Sequence, residues 1–228
     1  MPPHSCSYPI VKNLYYTRRE SVGGCMEFLS GYRRARLRLF EWRSCLEWEY
    51  KLLLALGFAA LTGLAAQVVI FLPWTPVPIT AQTFAVLVGA VVLGRHWGGV
   101  GQLIYVALGA IGVPWFYGMS GGYEHLLGAS GGYLLGFVVA AWLVGYLSDT
   151  HPSTRRAPSL LGLFLLATVV IYGLGLLQLY AWLCAHSTPP TLLELLIKGV
   201  LPFLPGDILK AVLASGCAWA IVPKERFC

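Results

Sequence analysis

Residues 52–94 read LLLALGFAALTGLAAQVVIFLPWTPVPITAQTFAVLVGAVVLG, forty-three positions without an Asp, Glu, Lys or Arg. About 20 apolar residues cross a bilayer, so the run holds two crossings with a break between them. PWTPVPIT (73–80) supplies the break: its three prolines within six residues remove backbone donors and fix φ, which no helix survives. Such a stretch has to line protein or water rather than lipid. A second charge-free run, of 37 positions, separates Arg156 from Glu194. Hydrophobic residues make up 57% of the 228 and charged residues 11%, a composition outside the range of water-soluble domains. The chain reads as an all-α integral membrane protein.

Six transmembrane helices are expected, at Leu52–Leu72, Ala81–Gly94, Trp97–Val113, Gly131–Leu147, Ser159–Cys184 and Phe203–Val222. The second is short unless Val77–Thr80 also lies at membrane depth. TLLELLIKGV, from Thr191, reads as a surface helix with Glu194 and Lys198 as an i, i+4 pair. Residues 1–51 carry nine of the sixteen Lys and Arg residues and form an expected basic cytoplasmic extension to a membrane domain at 52–228. Within it, Arg33–Lys51 mixes basic residues with Leu37, Leu39, Phe40, Trp42 and Trp48, as a helix lying on anionic lipid does.

An even number of spans puts both termini on one side. Arg95, Arg155, Arg156, Lys224 and Arg226 fall on the side of the extension, while 73–80, 114–129 and 185–190 hold no Lys or Arg. The positive-inside rule therefore places both termini in the cytoplasm and the proline- and glycine-rich connections outside the plasma (inner) membrane. Topology accounts for the net charge of +6, and nucleic acid is not an expected partner; the lipid bilayer is.

Inside this apolar chain, PFLPGDILKA (202–211) stands out. An ionisable group within a membrane costs about 2.5–3.5 kcal/mol on insertion scales, so it faces a cavity or the bundle interior. Asp207 and Lys210, three apart, share a helical face. Pro205 suits a first helical turn, where the helix dipole favours the Asp207 carboxylate. Two readings follow: a polar site at an outward-facing helix mouth, or an internal salt bridge fixing the helix end. In the site reading, Trp74, Trp115, Phe116, Tyr117, Tyr123 and Tyr133 supply an apolar wall.

Ala55, Ala59 and Gly63 make a strip of small residues, spaced by four, that admits another helix at close range. Gly128, Gly132 and Gly136 form a similar strip, whereas Gly121 and Gly122, in a loop, are free to approach a ligand. Gln102 and Gln178 place amides in apolar spans, as helix ties or pocket residues. The sequence holds no GxxxxGK[ST], HExxH or GxSxG, so an enzyme is not expected. The six cysteines form no metal-type cluster. Cys184 and Cys217 are expected to pack as small hydrophobes, and the five histidines to be solvated.

Four blocks, PVPITAQT (76–83), LGAIGVPWFYGMSGG (108–122), GASGGYLLGF (128–137) and GVLPFLPGDILKA (199–211), resemble in content and order the BioY family, the biotin-specific S components of energy-coupling factor (ECF) transporters. The resemblance covers about Leu52–Val222. It implies an S-component-like six-helix bundle that captures biotin from outside, with Asp207 and Lys210 on the ligand and Thr80, Gln82, Gly122 and Tyr133 beside them. It further implies a coupling transmembrane T component, docked on the Ala55, Ala59, Gly63 strip, and two ABC-type ATPase subunits. No cofactor belongs to this chain, and ATP is used by the partner subunits. The alternative is a facilitator for biotin or another small vitamin-like acid that works without ATPases.

Overall fold

A computed structural model describes residues 24–186 and 189–224. The first 23 residues of the basic extension lie outside that range.

Helix α1 (Gly24–Cys45) breaks before α2 (Trp48–Ala66). Every buried residue of α2, namely Ala55, Phe58, Ala59, Thr62, Gly63 and Ala66, recurs at spacings of three or four, which puts them on one stripe. Outside that stripe Leu53, Leu56, Leu61 and Leu64 are exposed, as lipid-facing leucines are. The first span thus starts four residues earlier than expected and ends six earlier, the chain leaving the helix before Val69 and Ile70. Val69–Ile70 (β1) pairs antiparallel with Ile79–Thr80 (β2), Val69 opposite Thr80. The proline segment therefore folds as the turn of a hairpin.

Helix α3 (Gln82–Leu93) follows at once. Its 12 residues reach only about 18 Å against a hydrocarbon core of about 30 Å, and the hairpin continues it. Two-thirds of α3 is buried, from Gln82 to Val91, because it packs on α2, α6 (Gly131–Thr150) and α9 (Leu204–Ile221) as well as on α4 (Trp97–Ala110). A single-turn helix, α5 (Glu124–Leu127), precedes α6. Helix α7 (Ala157–His186) runs 30 residues and makes the bundle's most extensive helix pair with α6. Gly136 lets the two approach, since a Cβ there would stand 2.9 Å from the Ile171 Cα. Among the described residues four helices, α2, α6, α7 and α9, are long and apolar enough to cross a membrane, and the shorter α3 and α4 occupy the expected second and third spans.

Helix α8 (Leu192–Gly199) is closed by a capping box in which Thr191 accepts from the Glu194 N–H and the Glu194 carboxylate accepts from the Thr191 N–H. Glu194 is thereby committed to the cap, and among the described residues no ion pair joins it to Lys198.

The basic segments meet at one end. Asp149, near the end of α6, accepts from Arg43 at 3.2 Å and from the Arg95 N–H at 2.9 Å, and pairs with Arg155 at 3.6 Å. Arg155 is 2% exposed. Burial pushes its guanidinium below the ordinary value, with the Asp149 charge opposing that shift. Gly94, at φ 80°, makes the turn beside Asp149, where a Cβ would stand 2.2 Å from its Oδ2. Tyr32 and Arg36 of α1 donate to the carbonyls of Ala220 and Val222 at the end of α9. Phe40 is 1% exposed. Helix α1 is therefore packed against the end of the bundle, and the single interfacial helix expected over Arg33–Lys51 is two helices, the second already part of the first span.

Candidate binding site

Helices α6 and α9 start at the end of the bundle opposite the Asp149 cluster, and between them, α7 and the hairpin lies a cavity of about 60 Å³. Pro205 falls in the first turn of α9 and Asp207 follows it, with its N–H donated to the Phe203 carbonyl at 2.8 Å. The Asp207 carboxylate is shared. Oδ1 accepts from the Lys210 ammonium at 2.7 Å, and Oδ2 accepts from the Tyr172 hydroxyl of α7 at 2.6 Å. Both partners line the cavity, and Asp207 itself is 6% exposed. The pair is thus internally neutralised and doubly held, as a charged group at this depth requires.

A second polar group comes from the start of α3. Gln82 donates from Nε2 to the Tyr105 hydroxyl at 2.7 Å and accepts at Oε1 from the Thr80 hydroxyl at 2.9 Å. Tyr105 is fixed in turn by Trp115, whose indole N–H donates to the Tyr105 carbonyl at 2.9 Å. The Tyr133 ring lines the cavity while its hydroxyl donates to the Gly199 carbonyl at 2.8 Å, tying α6 to the end of α8. Val77, Ile79, Phe116, Phe137, Ile171 and Phe203 make the apolar walls.

Of the residues expected at the site, Asp207, Lys210, Thr80, Gln82 and Tyr133 line this one cavity. Gly122 does not: at φ 112° it donates to the Gly109 carbonyl at 2.7 Å and shapes the loop. Gly121 is packed rather than free, since a Cβ there would meet the Val113 carbonyl at 2.5 Å. Among the expected wall aromatics Phe116 and Tyr117 line the cavity, whereas Trp74 and Tyr123 are exposed and Trp115 packs behind it. His125 is half-buried between Phe116 and Tyr117 instead of solvated. Cys184 and Cys217 lie on the outside of the bundle.

The small-residue strip also departs from expectation. Ala55 and Ala59 have no exposed surface, and Gly63 sits against the Trp115 side chain. Gly101 of α4 comes close enough to Ala55 that a Cβ would stand 3.1 Å from its carbonyl. The strip receives α4 of the same chain, so it offers no free surface to a partner helix.

Both glutamines expected as amides in apolar spans act as ties. Gln102 donates to the Thr62 hydroxyl at 2.8 Å, and Gln178 to the Leu126 carbonyl at 2.9 Å. Residues the sequence did not single out for the site are Tyr172, Tyr105 and Gln67. Gln67 donates to the Phe116 carbonyl at 3.0 Å and accepts from the Met119 N–H at 2.9 Å, holding the loop that carries two wall aromatics. A tyrosine hydroxyl at membrane depth needs a partner, which marks Tyr105 and Tyr172 as positions to ask about. Nothing in the linear sequence points from Tyr172 to Asp207, 35 residues away.

Residues 41–226 match the BioY family model. The chain belongs to the BioY family. Similar curated BioY proteins include the probable biotin transporter BioY of Methanothermobacter thermautotrophicus, 53% identical over 60% of this chain and 88% of that protein. The biotin transporter BioY of Thermotoga maritima is 35% identical over 69% of this chain and 87% of its own length. The bundle superposes on a crystal structure of the S-component for biotin from an ECF-type ABC transporter with a TM-score of 0.67, covering 77% of this chain and 93% of that one at 24% identity. The BioY match begins inside α1, about ten residues before the expected domain boundary.

Proposed function

We propose that this BioY protein captures biotin in the cavity between α3, α6, α7 and α9 and serves as the substrate-binding S component of an ECF-type transporter. The observation that carries the reading is the buried Asp207–Lys210 pair, with Tyr172, facing a cavity that the amide of Gln82 also lines. A carboxylate accepts N–H groups, an ammonium donates to oxygen and an amide does both. Biotin's ureido ring offers two N–H donors and a carbonyl, and its tail ends in a carboxylate. The apolar walls suit the carbon skeleton between them.

Ligand sites commonly enclose about 300–1,000 Å³, several-fold more than the 60 Å³ found here. Binding therefore requires the site to widen, and the ligand replaces the Asp207–Lys210 pairing with its own hydrogen bonds. The site lies at the opposite ends of α6 and α9 from the arginine cluster, which by the positive-inside rule faces it outward and puts both termini in the cytoplasm. No bond of the ligand changes. Energy for release comes from a T component and two ATPases, since the sequence has no P-loop.

Equilibrium binding of labelled biotin to the purified full-length chain tests the reading, beside Asp207→Asn. Tight binding that Asp207→Asn weakens at least tenfold is expected. A folded chain that ignores biotin would falsify the ligand assignment.

A further inference from the structure

An apolar groove of about 580 Å³ runs between α1, α2 and α3 on the outside of the bundle. From the level of Val68 and Ala81 it follows Leu61, Phe84, Phe58 and Val88 to Leu54 and Leu93. There it opens into a polar pocket of about 250 Å³, the two sharing Arg43, Leu54 and Leu93. The pocket gathers Arg43, Lys51 and Arg95 around a single carboxylate, Asp149. Asp149 engages Arg43 and the Arg95 backbone. Lys51 donates to the Ser44 carbonyl at 3.0 Å, and the Arg95 guanidinium lies over the Tyr146 ring at 4.9 Å. Neither pairs with a carboxylate among the described residues.

The groove follows α3 for its 12 residues, about 18 Å, close to one leaflet's half of the hydrocarbon core, about 15 Å. Its polarity changes once, at the end where the cations stand. We propose that the groove seats an acyl chain of one anionic phospholipid, with the headgroup phosphate on Lys51 and Arg95 and the chain along α2 and α3. A partner's transmembrane helix would fill the apolar part but gives the cations at its mouth nothing to meet. The exposed Leu39 and Trp42 of α1 border the mouth and bring that helix into contact with the lipid.

The test is native mass spectrometry of the full-length chain in detergent with phosphatidylglycerol or phosphatidylcholine of matched acyl chains. Two cations near a membrane surface favour the anionic lipid about thirtyfold, and that preference is expected in one-to-one adducts. Lys51→Gln with Arg95→Gln removes the preference. Gly57→Leu, at a groove position where a Cβ meets no atom within 4 Å, lowers retention of both lipids. Thermal midpoints near that of the unaltered chain show that the variants are folded. Equal retention of the two lipids by the unaltered chain overturns the proposal. So does undiminished phosphatidylglycerol binding by Gly57→Leu, or its displacement by inorganic phosphate alone.

Discussion

Lys210→Met separates a structural salt bridge from a binding group. The substitution leaves the Asp207 carboxylate buried with one partner, Tyr172 at 2.6 Å. Removing one member of a buried ion pair costs about 3–5 kcal/mol, and a hydrogen bond to a charged group returns about 1.5–3 of that. The remainder, centred on about 2 kcal/mol, corresponds to a fall of about 4–8 °C in thermal midpoint for a chain of this size. Adding Asp207→Asn removes the stranded charge, so the double variant recovers to within about 1 kcal/mol of the unaltered chain. Biotin binding follows a different course: each single variant weakens it, and the double variant does not restore it. Thermal unfolding monitored by tryptophan fluorescence, with labelled-biotin binding on the same preparations, reads both. The reasoning fails if the double variant binds biotin like the unaltered chain, or if Lys210→Met loses stability that Asp207→Asn does not return.

Four further outcomes are expected. Tyr172→Phe removes the second hydrogen bond to Asp207 and weakens biotin binding about tenfold or more, measured by the same titration. Gln82→Met lowers affinity, whereas Gln102→Met leaves affinity unchanged and shifts stability by less than about 1 kcal/mol, because it deletes one hydrogen bond together with the buried Gln102 Oε1, which has no partner among the described residues. Gly136→Leu forces α6 off α7 and lowers the thermal midpoint by about 2–12 °C, the cost of overpacking being about 1–3 kcal/mol. Asp149→Asn removes the charge that Arg43 and Arg155 share and destabilises the chain by about 3 kcal/mol, while biotin affinity, set at the other end of the helices, holds.

What the sequence made legible depended on locality. Asp207 and Lys210 are three residues apart on one helix, and the cost of charge in a membrane singles them out before any fold is known. The PWTPVPIT segment declares itself through proline, yet its hairpin pairing with Val69–Ile70 requires a register that no periodicity over two residues reveals. The small-residue strip on α2 announces close packing without naming the packing partner, and α4 rather than another protein takes it. Glycine pairs posed the same ambiguity: Gly122 has the backbone freedom a ligand loop needs, but uses it to return the chain to Gly109. Tyr172, Tyr105 and Gln67 reach the site only through contacts 23 to 52 residues distant, and apolar surroundings gave them no pattern to stand out from. In α1, the basic and aromatic composition fits lipid and protein surfaces equally well, so the fold alone places Phe40 inside.

The cluster at Asp149 makes the bundle mechanically asymmetric. One carboxylate clamps α1, the turn between α3 and α4, and the segment leading into α7, so these ends of the helices are tied into a single block. Room for a ligand then has to come from the free ends, where a hairpin of two-residue strands leads into α3 and α5 is a single turn. The molecule is built like a hinged clasp, with its pivot at the arginines and its jaws at Thr80, Tyr117 and Asp207.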